Sequence, residues 1–372
     1  MKDVFIASDN ILSPIGSTTA DNFDQLKKNS SGVQLHSNES ITGLPFFASL
    51  FTDYTFFENK KYTRFEHLLI ASIDNAIENC GIPVSGTKTI LIISTTKGSI
   101  SLLETEKKNA ETKARMALHY SAKLVAGHFH FANEPVVVSN ACISGTLALL
   151  TGKRLIQSGQ FDHAVIAGAD VISKFVFSGF KSFQALRPCR PFDKSRDGIN
   201  LGEGAGTIVL SSDKKFAGRI KITGGATRND ANHISGPSRT GEELSYAIKK
   251  GLEEAQLVPE DIGFISAHGT ATIYNDEMEA RALTLAGMQS VPVNSLKGYF
   301  GHTLGAAGII ESIVSIQSLR ENTILPTRGF EEYGVYGSLN ILNTLQYIPI
   351  KNVLKTASGF GGCNAVVLFS KS

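Results

Sequence analysis

The chain has 372 residues, 42% hydrophobic and 19% charged, a balance too apolar for a disordered polymer and ample for a large core. Lysine and arginine number 36 against 34 aspartates and glutamates, so a net charge of +2 supplies no broad field for nucleic acid or an anionic membrane. The four cysteines, Cys80, Cys142, Cys189 and Cys363, lie far apart without a CxxC pair, which excludes the usual zinc-ligand spacing and argues against a disulfide framework.

At about 150 residues per domain, this length points to two domains or two fused halves. The opening Met1-Lys2-Asp3-Val4-Phe5-Ile6 is too short an apolar run for a signal peptide, and no stretch approaches the roughly 18 apolar residues of a membrane span. A cytoplasmic protein is expected.

In chain order, a helical pattern covers Phe65–Asn79 and a β-branched run reads as a strand at Thr89–Ile93. Val136–Val138 is a second strand, followed by a loop and the apolar helix Thr146–Gln157. Strands then recur at Ala164–Ala167, Gly206–Leu210 and Ile220–Ile222. The polar stretch Ser211–Lys215 marks the seam, dividing 1–214 from 215–372. Beyond it come the helix Glu242–Leu257, a strand ending at His268, a strand from Val291, the helix Gly305–Arg320 and the strand Ala365–Leu368. Alternating strands and helices predict a mostly parallel sheet covered on both faces.

The halves rhyme. Pro135 to Gly145 is a strand, a loop holding Cys142 and then a helix; Val291 to Gly305 is a strand, a loop holding His302 and then a helix. A duplicated fold would bring both loops to one crevice.

Cys142 alone could be a buried structural thiol. At a helix mouth, however, the macrodipole and unpaired N–H groups favour thiolate over the usual pKa of about 8.5. His268 ends a strand, with Gly269 beside it and Thr270 and Thr272 two and four residues on. In an extended loop both hydroxyls would face one side and line a tunnel for a polar arm. His302 sits between Gly301 and Thr303, and Lys297 five residues earlier reads as a paired charge. Ser358 to Asn364 holds Phe360 among three glycines, either as an ordinary turn or as a wall that brings a backbone N–H to a ligand. Gly202-Glu203-Gly204-Ala205-Gly206 lacks the last glycine of GxGxxG and leads into a strand, so it is no dinucleotide site. No HExxH, no phosphate-cradling loop and no defensible histidine ligand spacing is present, so no metal site is expected.

Together these segments resemble the β-ketoacyl-ACP synthase family of the thiolase superfamily, elongating Cys-His-His type. The resemblance runs nearly end to end. It is carried by Asn140–Gly145, Arg190–Gly206, Ala267–Thr272, Gly301–Gly308 with Glu311, and Gly359–Gly362. It implies a five-layered α-β-α-β-α fold of two similar βαβ halves, usually dimeric, and a decarboxylative Claisen condensation. Cys142 would take an acyl group from a carrier-protein thioester. Neutral His268 and His302 would donate hydrogen bonds to the malonyl thioester oxygen as carbon dioxide leaves. The N–H groups of Cys142 and Phe360 would hold the oxyanion, Thr270 and Thr272 the phosphopantetheine arm, and Lys297 with Glu311 would order the His302 loop. No tightly bound cofactor is implied, because the carrier brings both substrates. The partners implied are an acidic acyl carrier protein and a second synthase subunit, identical or related. Lys60, Lys61 and Arg64 match the carrier-docking region in position, and a solvated helix start explains the same residues.

Departures from the family pattern lie in Lys97–Phe131, which is short, in the compact Phe177–Pro191, and at Cys363, where threonine is usual. These leave acyl length open, and a specialised polyketide or polyene synthase fits as well as a fatty-acid enzyme. A thiolase, which uses a second cysteine as base, lacks the His302-type loop. A non-catalytic chain-length-factor-like subunit would generally lose the nucleophile that this chain keeps. A Cys-His-Asn synthase would place asparagine where His302 stands.

Overall fold

The β-branched runs form strands and the 3.6-residue apolar repeats form helices in the computed structural model, which describes residues 2–52, 61–78, 80–216, 218–231 and 236–371. In the first half the principal strands are β1 (Phe5–Leu12), β2 (Thr89–Ser94), β3 (Val136–Val138), β4 (His163–Asp170) and β5 (Gly204–Ser211). In the second half they are β6 (Ile220–Asn229), β7 (Phe264–Ala267), β8 (Pro292–Ser295), β9 (Asn340–Ile341), β10 (Asn352–Gly359) and β11 (Cys363–Lys371). Their order is β9-β8-β7-β10-β11-β6-β1-β5-β4-β2-β3.

Outward from the centre, β1-β5-β4-β2-β3 recurs as β6-β11-β10-β7-β8. In each run the first two junctions are antiparallel and the last two parallel. The internal rhyme is therefore a repeat of topology. The two runs meet where Phe5 pairs with Lys221. The expectation of a mostly parallel sheet is corrected to a mixed one. β10 turns directly into β11 through Phe360–Gly362, and so short a connection can join only antiparallel neighbours.

Six helices matter for the site: α1 (Arg64–Glu78), α2 (Leu118–His128), α3 (Ser144–Gln157), α4 (Glu242–Ala255), α5 (Ile273–Leu285) and α6 (Ala307–Glu321). Equivalent helices α3 and α6 follow β3 and β8, pack on each other, and touch strands of both runs. On the outer faces α1 covers β1, β4 and β5, while α4 covers β6 and β11. The result is five layers, helix–sheet–helix–sheet–helix. Except near its C-terminal end, α6 has no polar stripe and is buried on all sides, as a central-layer helix must be.

Small residues set how closely the inner helices approach. A Cβ on Gly145 would stand 2.8 Å from Ile309 N, 3.0 Å from Gly305 O and 3.1 Å from Gly308 Cα, all backbone atoms. No described helix is long and apolar enough to cross a membrane.

Candidate active site

Cys142 stands in the short bend between β3 and α3. Ala141 adopts φ +44°, an uncommon left-handed conformation for a residue with a Cβ. Ser144 holds the bend, its hydroxyl donating to Ala141 O at 2.6 Å and accepting from Asn140 N at 2.8 Å. The thiol is only 7% exposed. Burial pushes it up to about 12, the nearby Cys363 adds to the rise, and Lys297 only partly opposes it. The expectation of a resting thiolate is thus corrected: burial holds Cys142 as the thiol, and a base must take the proton.

His302 stands where such a base would have to be. Its Nε2 lies 3.0 Å from Cys142 Sγ. Its backbone is pinned where His302 N donates to Asn200 O at 2.7 Å and Gly202 N donates to His302 O at 3.0 Å. The other ring nitrogen, Nδ1, is buried without a hydrogen-bond partner, so no carboxylate orients this imidazole as in a Ser-His-Asp triad.

His268 follows the end of β7. Its N–H donates to Glu279 Oε1 at 2.9 Å and Thr356 Oγ1 at 3.2 Å, and Gly269 N donates to Glu279 Oε2 at 2.8 Å. Gly269 has φ +38°, and a Cβ there would come within 2.8 Å of Phe192 and Ser295 atoms, so only glycine fits. The two imidazoles meet edge to face, ring centres 5.3 Å apart at 83°. The thiol and one nitrogen of each ring lie within 4.8 Å of one another.

Both imidazoles are held well below the ordinary histidine value, first by burial and then by the charges of Lys297 and Lys355, with His302 adding to the effect on His268. They are neutral at physiological pH. The two buried ammonium groups share Glu311 of α6: Lys297 contacts Oε1, and Lys355 lies 2.6 Å from Oε2. Burial alone would raise the Glu311 carboxyl, but the paired lysines hold it below the ordinary carboxylate range. One thiol and two imidazoles could ligate a transition metal. Here a protonated thiol and two nearby ammonium groups oppose a dication.

These three side chains line one cleft together with Thr270, Thr272 and Phe360. The threonine hydroxyls lie 2.8 Å apart. They meet for a reason other than the expected extended loop: Ala271 has φ +61°, and the bend folds the hydroxyls together. Thr270 N donates to Asp276 Oδ1 at 2.9 Å, which fixes the bend. The Phe360 ring is 41% exposed and stacks on Phe180, centres 5.5 Å apart at 19°. A Cβ on Gly359 would stand 2.9 Å from Cys142 N and 3.1 Å from Cys363 Sγ, so the Phe360 turn presses directly on the nucleophile loop. Cys363 is buried, its thiol 3.3 Å from Phe360 O and pushed up to about 11 by burial.

Of the residues singled out for carrier docking, Lys60 lies outside the described residues, and Lys61 is exposed beside Tyr62. Arg64 is corrected: its guanidinium contacts the fully buried Glu203 at 2.5 Å and so serves an internal ion pair. Sequence reasoning missed Glu279 and Asp276, which hold the His268 loop from α5; acids three apart just after that loop were the available signal. It also missed Lys355, although a lysine amid Val353, Leu354 and Ala357 signals a buried charge. Asp170 at the end of β4 is a further omission. It accepts from Thr95 Oγ1 and Gly305 N, each at 2.7 Å, tying the first half to the segment after His302.

Two family models match in tandem: beta-ketoacyl synthase, N-terminal domain, over residues 2–215, and the C-terminal domain over residues 220–331. A 3-oxoacyl-[acyl-carrier-protein] synthase 2 of Staphylococcus aureus is 33% identical over 248 residues, covering 62% of this chain and 60% of that protein. The chain thus spans less than two thirds of the length of that relative. The protein of the same name from Vibrio harveyi is 26% identical, covering 99% of this chain and 98% of that one. Among solved structures, a beta-ketoacyl synthase from Burkholderia phymatum STM815 has TM-score 0.89 at 24% identity with full coverage of both chains. The ishigamide ketosynthase/chain length factor has TM-score 0.90 at 24% identity, covering 100% of this chain and 99% of that one. At these identities the structural likenesses speak for the fold.

Proposed function

The chain belongs to the β-ketoacyl synthase family, and from that premise we propose that it is a 3-oxoacyl-[acyl-carrier-protein] synthase, an acyltransferase of fatty-acid or specialised polyketide synthesis. The observation that carries this reading is the 3.0 Å approach of His302 Nε2 to Cys142 Sγ with neutral His268 alongside, in a cleft that Thr270 and Thr272 also line.

In the first half-reaction His302 Nε2 accepts the thiol proton as Sγ attacks the acyl carbonyl carbon of a carrier thioester. The carbon–sulfur bond to the pantetheine arm breaks, and the departing sulfur takes the proton. Cys142 is left acylated and both imidazoles neutral, and His302 shifts its proton from Nδ1 to Nε2, the nitrogen that faces the thiol, before the second half-reaction.

Malonyl-carrier protein then enters, its arm against Thr270 and Thr272. The bond between the α-carbon and the carboxylate breaks, carbon dioxide leaves, and the electron pair becomes an enolate. His268 and His302 donate hydrogen bonds to the enolate oxygen, where preorganised donors act most strongly. The enolate carbon attacks the acyl-Cys142 carbonyl, with the N–H groups of Cys142 and Phe360 as its oxyanion site. Collapse breaks the bond to Sγ and releases 3-oxoacyl-carrier protein, and the thiolate left behind takes a proton from solvent. Lys297 and Glu311 keep the His302 loop in place.

In this scheme residues 1–214 supply the nucleophile and 215–372 both imidazoles, with no resident cofactor or metal. The partners are an acyl carrier protein, with Lys61 in its docking region, and a second synthase subunit, identical or related. Intact mass after incubation with acyl-carrier thioesters tests the reading. The expected result is an acyl adduct on wild type that is absent from Cys142→Ala. No adduct with any donor, even beside candidate partner subunits, would favour a chain-binding subunit instead.

A further inference from the structure

Lys355 lies in β10 between Leu354 and Thr356 and has no exposed surface. Its ammonium donates to the carbonyls of Thr356 at 2.6 Å, Ser266 at 3.2 Å and Ala267 at 3.3 Å, and lies 2.6 Å from Glu311 Oε2. Ser266 and Ala267 are the last residues before His268. The other Glu311 oxygen holds Lys297, at the entrance to the loop that ends in His302. One carboxylate therefore joins two ammonium groups, each fastened to the backbone that carries one imidazole.

Lys297 already neutralises Glu311. A second buried lysine adds desolvation that pairing does not require, and the cluster keeps one net positive charge. That excess charge and the two carbonyl contacts at the end of β7 are what Lys355 uniquely contributes.

We propose that Lys355 is a positioning residue for decarboxylation: it locks the strand end beneath His268 to Glu311, and its charge opposes formation of a third cation on either imidazole. This rests on the synthase reading. A neutral imidazole serves the step because an imidazolium would bind the malonyl carboxylate itself and stabilise the ground state more than the enolate. The charged and titratable groups facing His268 are Lys297, Lys355, His302, the Cys142 thiol and, through the backbone amide, Glu279. Those facing His302 are Lys297, Lys355, His268 and the Cys142 thiol, with Asp170 acting through Gly305 N.

The test uses the full chain as Lys355→Gln, which removes the charge but keeps a donor, and Lys355→Met, an apolar side chain of similar length, with Glu311 still paired to Lys297 in both. Carbon dioxide release from malonyl-carrier protein is followed from pH 5 to 8, arbitrary limits spanning about the usual histidine range. Loss of a nearby cation lets the imidazoles protonate at higher pH. The acid limb of both variants should therefore move up by about one pH unit or more relative to wild type. At the alkaline plateau Lys355→Met should be slower than Lys355→Gln, because only glutamine can still hold the Ser266 and Ala267 carbonyls. Profiles scaled down uniformly with the acid limb unmoved would overturn the proposal and leave Lys355 a packing residue. Carbethoxylation of His268 and His302 by diethyl pyrocarbonate, mapped by peptide mass against pH, must show the same upward shift without turnover. A wild type that releases no carbon dioxide sinks the synthase reading alone, and an unmoved carbethoxylation midpoint sinks the Lys355 role alone.

Discussion

The loops after β3 and β8 hold the same address in the two halves, yet they are built by opposite means. The first is five residues long, Ser139 to Ile143, carries no charged side chain, and is held by one serine hydroxyl. The second runs from Leu296 to Ala306 and contains a short helix, a fully buried lysine and a further 3₁₀ turn. The contrast extends to the loops after β2 and β7: in the first half Thr95 and Thr96 bond Asp170, whereas in the second the equivalent position carries His268. A thiol needs a shape that brings it to a base. An imidazole that must stay neutral in a buried site needs a field, and the field takes extra residues.

Five substitutions would break or sharpen that contrast. His302→Ala should reduce carbon dioxide release about a hundredfold or more while acylation of Cys142 stays measurable by intact mass. Slowed acylation with carbon dioxide release unchanged would mean the longer loop serves only the thiol. Glu311→Gln should destabilise the fold by about 3–5 kcal/mol in urea titrations, since it strands two buried ammonium groups. Because the folded carboxyl titrates below the ordinary 4.5, that difference should be full above that value and fade as pH falls through the lower folded value. A difference that grew toward acid would contradict the charge network.

Gly145→Ala should cost about 1–3 kcal/mol by forcing α3 off the backbone of α6. An unchanged unfolding midpoint would show that the helices have room to spare. The smallest effect belongs to the surface. Lys61→Glu should raise the apparent KM for carrier-bound substrates a few-fold and leave small thioesters unchanged, while Arg64→Glu should lower stability by stranding Glu203.

Much of this was legible in the chain. The β-branched runs located β2 to β5 and β11 within a few residues and the start of β6, and the glycine- and histidine-rich segments named Cys142, His268, His302 and Lys297 before any geometry. The antiparallel middle of the sheet was not legible, because strand direction follows from connections between distant segments. Glu279, Asp276 and Lys355 were missed for a related reason: a buried charge is recognisable only beside its partner, and those partners are remote in sequence or hidden on a helix face. The protonation of Cys142 was misjudged because a helix mouth can be read from sequence, whereas the depth of its burial cannot.

Backbone pressed on backbone at Gly145 and Gly308 leaves no hinge between the repeats. On the proposed reaction, substrates would then enter and leave through small displacements at the rim, and the part of the rim with room to move is the turn at Gly361 beside Phe360, at φ +85° with open space around it. Stiffening that turn would slow traffic through the cavity without altering the chemistry inside.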